Sequence, residues 1–261
     1  MNKQSSNKSR PTISVCMATY NGSRFIHMQI ASVLDELEPS DELVIVDDAS
    51  SDNTIDIIKQ FNDPRIKLHR RQFNQGVINS FEQTITIATG HLIFLCDQDD
   101  VWYPGKVNSM ANVLRDREVV AAISNCQVID SSGNIIEPSF FSKRGCRSGF
   151  LANLWRNGYL GCAMCFRADL KEVILPFPNR IFMHDEWIGL TANLSGKVLF
   201  LEKVLFGYRR HSSNVTSMTW GGVRFAIRKR FIHGLLVAQR IPTIIRYRKE
   251  RLYKNTSNFQ N

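Results

Sequence analysis

Apolar residues in the first hundred positions fall into short, nearly unbroken runs, separated by stretches that are apolar on one face only. Residues 12–18 (TISVCMA) form a β-branched run that ends at the turn signal Tyr20-Asn21-Gly22. Ser23 stands where a helix cap is expected, and Phe25, Ile26, Ile30, Val33, Leu34 and Leu37 follow at helical spacing. Residues 42–46 (ELVIV) predict a second strand running into Asp47-Asp48, and residues 52–61 a second helix capped by Ser51 or Asp52. A third strand is expected at 65–69, a third helix at 76–89 and a fourth strand at 91–96 (HLIFLC). Strands that are apolar throughout and alternate with helices predict an α/β fold, a mostly parallel, doubly wound sheet covered on both faces.

The second half is less regular. Residues 119–129 predict a strand that turns at Ser131-Ser132-Gly133-Asn134 into a hairpin. Residues 137–150, rich in Ser, Arg, Lys and Gly, read as a mobile loop, 159–166 as a strand, 185–194 as a helix, and 198–208 as one strand or two. This half is expected to be a mixed extension on the edge of the first sheet.

Composition narrows the picture. The 261 residues are 43% apolar and 22% charged, enough for a real core in one large domain or two packed halves, which excludes a disordered or low-complexity chain. No apolar run reaches the roughly 18 residues of a membrane span. Residues 1–11 lack a signal-peptide core, so a cytoplasmic protein is expected. Three of the six cysteines sit in strand-like apolar runs, and Cys162-x-x-Cys165 has no second ligand pair, so buried packing is expected.

Charge is distributed unevenly. Residues 221–261 hold ten Lys or Arg against Glu250 alone, a net +9, while the first 220 residues hold 23 basic and 23 acidic side chains. Within this tail Val223, Ile227, Phe231 and Leu235 recur every four residues, flanked by Arg224, Arg228, Lys229 and Arg230, and Pro242 is expected to divide it in two. Such a helix can lie on an anionic membrane surface or dock its stripe onto the protein's own core. A neutral body with a cationic tail is not the charge pattern of a nucleic-acid binder.

Candidate chemistry sits at strand ends, where ligands bind in open parallel sheets. Asp97-Gln98-Asp99-Asp100 packs three carboxylates into four residues, an arrangement that Mg²⁺ or Mn²⁺ relieves; the bland alternative is an acidic turn with Asp100 as a helix cap. Asp47-Asp48 can accept hydrogen bonds from a base or ribose, or cap a helix. Neither GxxxxGK[ST] nor GxGxxG is present, which argues against P-loop and dinucleotide-binding chemistry.

Taken together, ISVCMATYNG (13–22), ELVIVDDASSDNT (42–54), NQG (74–76), ATGHLIFLCDQDDVWYPGK (88–106), HDEW (184–187) and the YRxHxxN segment (208–214) resemble the family 2 glycosyltransferases. More narrowly, they are similar to bacterial enzymes that build O-antigen, capsule and rhamnan polysaccharides. The resemblance implies a GT-A fold with a nucleotide-sugar-binding half at 12–106 and an acceptor half at 107–220; from the residues themselves, 1–11 are expected to be disordered and 221–261 to form a basic amphipathic helical tail. The resemblance also implies an inverting transfer from a UDP- or dTDP-sugar to a hydroxyl of an acceptor linked to undecaprenyl diphosphate, by an enzyme peripheral to the inner face of the plasma membrane. Thr19, Tyr20 and Asn21 would line the nucleotide pocket and Asp48 and Asp97 would bind the donor. Asp99 would hold the metal, with His211 as a further ligand or a surface residue and Asp100 as a neighbour able to share the role. Asp185 falls at the catalytic base, with Glu186 as the alternative where close relatives often carry an aromatic. Arg209 and Arg210 can touch phosphate or be a solvated pair, and Trp187 can stack on acceptor sugar or fill the core. A nucleotidyltransferase is disfavoured by the single Arg24 beside the first turn, and a basic binding protein leaves three acidic strand ends unexplained.

Overall fold

The computed structural model describes residues 10–212 and 223–257, with side chains from 227 to 254 in the second segment. Strands β1 (Ile13–Thr19), β2 (Glu42–Asp47), β3 (Ile66–Arg70) and β4 (Leu92–Cys96) alternate with helices α1 (Ile26–Leu34), α2 (Thr54–Gln60) and α3 (Val77–Ile87). β1, β2 and β4 are almost wholly buried, as strands covered on both faces must be. β3 alternates between half-buried and exposed, which suits its place at the sheet edge. The chain continues through β5 (Val101–Trp102), α4 (Lys106–Val113), β6 (Val119–Ile129), β7 (Ile135–Glu137), α5 (Phe140–Arg144), α6 (Phe150–Trp155), β8 (Met164–Arg167), α7 (Lys171–Ile174), α8 (His184–Ser195), β9 (Lys197–Arg209) and α9 (Val223–Ser257).

The strands form one sheet in the order β3-β2-β1-β4-β8-β6-β9-β5, with β7 paired to β6. β3, β2, β1 and β4 run parallel; β8 is antiparallel to both β4 and β6, and β6 and β9 are again parallel. Because β1 leads to β2 on one side and has β4 on the other, the switch point of the sheet, where open parallel sheets bind ligands, lies at the carboxyl ends of β1 and β4. Register aligns these ends: Thr19 lies opposite Asp47, and Met17 opposite Cys96. The polar residues that follow each strand therefore converge on one edge.

Several elements differ from expectation. Ser23 caps nothing; its N–H donates to Asp52, and α1 begins three residues later. Residues 137–150 are not a loop throughout, since Ser139 accepts from the Ser142 N–H to start α5, Phe141 is buried and Gly145 closes the helix in the left-handed conformation. Residues 159–166 enter β8 only at Met164, after a 3₁₀ turn at Gly161–Ala163. β9 is one strand of 13 residues, bent by register shifts against β6. Pro242 lies inside α9 without dividing it, on an exposed position where the carbonyl left without a partner can face solvent. The ordered body already includes Arg10, which pairs with Glu38 and Asp41; residues 1–9, and the Ser213 and Asn214 end of the YRxHxxN segment, lie outside the described residues.

Candidate active site

The turn after β1 and the loop after β4 are joined by a side chain that mimics a strand. Gln98 accepts from the Tyr20 N–H at 2.9 Å and donates to the Tyr20 carbonyl at 3.1 Å. A Cβ at Gly22 would stand 2.2 Å from the Gln98 amide oxygen, so only glycine admits this contact. Thr19 turns inward and donates to Asp47 at 3.0 Å, and Asn21, at φ 47°, accepts from the Ser51 N–H at 2.9 Å. Of the three residues expected to line a nucleotide pocket, Tyr20 presents an exposed ring, while Thr19 and Asn21 bind the loops to each other.

Asp48 closes the opposite wall. Its carboxylate accepts from the Gln75 N–H at 2.9 Å and the Gly76 N–H at 2.7 Å, and Arg71 approaches to 3.3 Å. Gly76 meets it at φ 88°, a conformation that favours glycine. A carboxylate has about four acceptor directions, so these contacts shape the NQG loop and leave acceptor capacity for a ligand.

The acidic loop holds its carboxylates at different depths, Asp97 and Asp99 partly buried and Asp100 fully so. Asp99 has its Oδ2 2.8 Å from Nε2 of His211, across 112 positions of chain. Asp100 is fully buried: one oxygen accepts from the Arg209 N–H at 2.9 Å, and the other has no hydrogen-bond partner among the described residues. Burial, then the charge of Asp99, pushes the Asp97 carboxyl up to about 7, and the same two causes raise Asp100. Ligand atoms of Asp97, Asp100 and Cys162 lie within 4.8 Å of one another. Crowded carboxylates with an unsatisfied buried oxygen fit a hard divalent cation, whereas Cys162, a buried thiol held protonated, is a poor ligand for one. Lys106 lies beneath this loop, fully buried, donating to the Cys162 carbonyl at 2.9 Å between the rings of Trp102 and Phe206.

Arg209 is not placed as a phosphate ligand. Its Nε donates to the Asp99 carbonyl at 2.8 Å and its Nη1 to the Asp130 carbonyl at 3.0 Å, so a buried guanidinium ties the acidic loop to the β6–β7 hairpin. Arg210 lies against Tyr208. Trp187 is core: it is wholly buried and donates to the Ile174 carbonyl at 2.9 Å, which removes it from any acceptor stack. Trp102 is likewise buried and anchors the loop.

α8 delivers Asp185 in its first turn, where the helix dipole favours a carboxylate. The residue is buried, its Oδ1 accepts from the Glu186 N–H at 2.6 Å, and burial, then the charge of Glu186, pushes its carboxyl up to about 6. Asp185 is near enough to Asp97 for its charge to raise that carboxyl too. Glu186 points the other way. Lys229 of α9 stands 2.5 Å from its Oε2 and His233 3.1 Å from its Oε1. Burial pushes the Glu186 carboxyl up, but His233 and Lys229 outweigh it and hold the group below its usual value. The neighbouring His184 stacks on Phe81 at 4.0 Å, and burial drives its ring down to about 3, so it is neutral.

The model of the family described as "Glycosyl transferase family 2" matches residues 14–174, more than half of the chain and all of the converging strand ends. The chain belongs to that family. A β-1,3-glucosyltransferase of Escherichia coli, WfgD, described as acting from UDP-Glc on α-D-GlcNAc-diphosphoundecaprenol, is 29% identical over 78% of this chain and 79% of its own. The chain spans between 66% and 84% of the lengths of the first curated relatives it matches. Among solved structures, TarS of S. aureus in complex with UDP superposes with a TM-score of 0.64, at 17% identity, over 90% of this chain and 70% of that one. A mannosyltransferase of Pyrobaculum calidifontis in complex with GDP-Man and Mn²⁺ superposes with a TM-score of 0.61, at 15% identity, over 92% and 74%. The family 2 chain thus has a GT-A-like fold, with a mostly parallel amino-terminal sheet and a mixed continuation. Gln98 and Lys106 fall inside the 88–106 motif but carried no assigned role, Lys229 had a signal only as a cation flanking the apolar stripe of the tail, and His233 had none.

Proposed function

We propose that the chain is an inverting glycosyltransferase that moves a sugar from a UDP- or dTDP-sugar to a hydroxyl of a bacterial surface glycan carried on undecaprenyl diphosphate. Its place is the cytoplasmic face of the plasma membrane, with residues 221–261 on the anionic leaflet. One observation carries the reading: Asp185, delivered by α8, packs against Gly161, and the adjacent Cys162 has its Sγ within 4.8 Å of carboxylate oxygens of Asp97 and Asp100 at the end of β4. A base and a donor-binding carboxylate therefore face a common cleft at the switch point of the sheet.

In this reading the nucleotide enters between the Tyr20 turn and Asp48, and the Gln98 bridge joins the loops after β1 and β4. Asp99, with His211 and Asp97, would hold Mg²⁺ or Mn²⁺, which stabilises the departing diphosphate when bound. Asp185 takes the proton of the acceptor hydroxyl as that oxygen attacks the anomeric carbon from the opposite face. Its raised affinity for the proton suits a base working near neutrality. Glu186, held by α9, is not the base.

Calorimetric titration of UDP and dTDP with and without Mn²⁺, repeated on Asp99→Ala and Asp185→Asn, tests this. Metal-dependent binding that disappears in Asp99→Ala and persists in Asp185→Asn is expected, with transfer by Asp185→Asn reduced by roughly 10²–10⁴-fold. Unimpaired transfer by Asp185→Asn would move the base elsewhere.

A further inference from the structure

The tail helix docks one face on the body and leaves another exposed. Inwardly, α9 buries His233, Val237, Ile244 and Tyr247 against the body; Tyr247 donates to Asp169 at 2.9 Å and Arg240 to the Leu175 carbonyl at 2.9 Å. Outwardly, Ile227, Phe231, Leu235, Ile241 and Ile245 remain largely exposed, Phe231 at 66%. At 3.6 residues per turn these five side chains line up in one stripe, turned well away from the buried set.

A second helix extends that stripe. On α6, Leu151 and Trp155 stand one turn apart at 77% and 71% exposure, among the most exposed large apolar side chains described. Trp155 is fixed to α9, since Arg230 donates twice to its carbonyl, at 3.0 and 2.6 Å, and lies over its ring at 4.3 Å. Exposed apolar side chains gathered on two helices in contact mark an interaction site. Arg228 and Arg246 border one side of the stripe and Arg230 and Arg248 the other, while the one acidic residue of the tail, Glu250, lies outside it.

We propose that α6 and α9 together form a monolayer-insertion surface for anionic phospholipid, with Trp155 and Leu151 entering beside Phe231 and Leu235. This deepens, and rests on, the membrane attachment proposed above. The occupant is a bilayer rather than a second copy of the chain, because a stripe bordered on both sides by arginine meets its complement in phosphate headgroups and repels its own copy. The same α9 reaches the candidate site, since its Lys229 and His233 hold Glu186 beside Asp185.

The test is co-sedimentation of the full chain with vesicles of equal parts phosphatidylglycerol and phosphatidylcholine, and with phosphatidylcholine alone, in the absence of donor and acceptor. Binding to the anionic vesicles is expected. It should fall roughly tenfold or more in Phe231→Ala/Leu235→Ala and in Leu151→Ala/Trp155→Ala, and roughly 30-fold in Arg228→Gln/Arg246→Gln. Loss in the α9 pair with none in the α6 pair would overturn the two-helix surface alone. Failure of the unaltered chain to bind would overturn the attachment as well, and a concentration-dependent dimer abolished by the same substitutions would assign the surface to a second copy. Nucleotide binding, measured separately, should be unchanged in all three variants, so that failure of the transferase reading and failure of this one remain distinct.

Discussion

The Lys229 amine lies 2.5 Å from Oε2 of Glu186, bringing a cation of the basic tail to the residue beside the proposed catalytic base. Glu186 is almost fully buried and Lys229 partly so, which makes the pair sensitive to loss of one partner. Lys229→Met is expected to destabilise the fold by about 1–3 kcal/mol by leaving a buried carboxylate poorly compensated. Adding Glu186→Gln to that variant should restore part of the loss in urea denaturation; strict additivity of the two changes would show that the pair is not coupled.

The pH dependence has a defined sign. Asp185 and Asp97 carry folded values of about 6 and about 7, above the roughly 3.9 of an unfolded aspartate. The folded state therefore holds more protons than the unfolded one between these limits, and stability contributed by these groups falls as pH rises from about 4 towards 7. Asp97→Asn and Asp185→Asn should each flatten that decline in thermal melts without metal. Transfer should rise with pH through about 6, as Asp185 ionises.

Divalent cation should act on stability as well as on activity. The buried oxygen of Asp100, without a hydrogen-bond partner among the described residues, and the mutual repulsion of Asp97, Asp99 and Asp100 are what a bound cation would relieve. Saturating Mn²⁺ at 100 times its dissociation constant is expected to add about 2.7 kcal/mol. Chelation should reverse the gain, and Asp99→Asn should abolish it; an equal gain in Asp99→Asn would place the ion on other ligands.

Arg209 predicts a loss of another kind. Because its guanidinium binds carbonyls of two loops, Arg209→Lys should lower stability by about 1–3 kcal/mol even without nucleotide. A direct phosphate ligand would instead leave the free protein's melting temperature unchanged and weaken only nucleotide binding, which differential scanning calorimetry separates.

Much of this was legible in the chain. β1, β2 and β4 announce themselves because buried parallel strands must be apolar on both faces, and a parallel arrangement then brings their polar ends together without further information. The direction of β8 was not legible, since an apolar run pairs equally well either way and its antiparallel pairing with β4 follows from the path of the chain around it. The helices at 140–144 and 150–155 are too short to show periodicity and depend on tertiary packing. Trp187 and Arg209 carry side chains that serve a core or a ligand equally well, and their roles are set by the Ile174 and Asp99 carbonyls that fold beside them. Glu186 reads from the sequence as an alternative base, and only the docked tail shows that Lys229 and His233 hold its carboxylate.

The six cysteines, all free, make the molecule its own recorder of unfolding. Cys16, Cys96, Cys126 and Cys165 are buried one each in β1, β4, β6 and β8, and burial pushes the Cys16 thiol up to about 12 and the other three up as well. Cys146 is only half-buried, and at about 11 its thiol is also slow to ionise. An alkylating reagent must then wait for each strand to open, and the order in which the strands acquire label, read by mass spectrometry, would rank their local opening across neighbouring positions of one sheet.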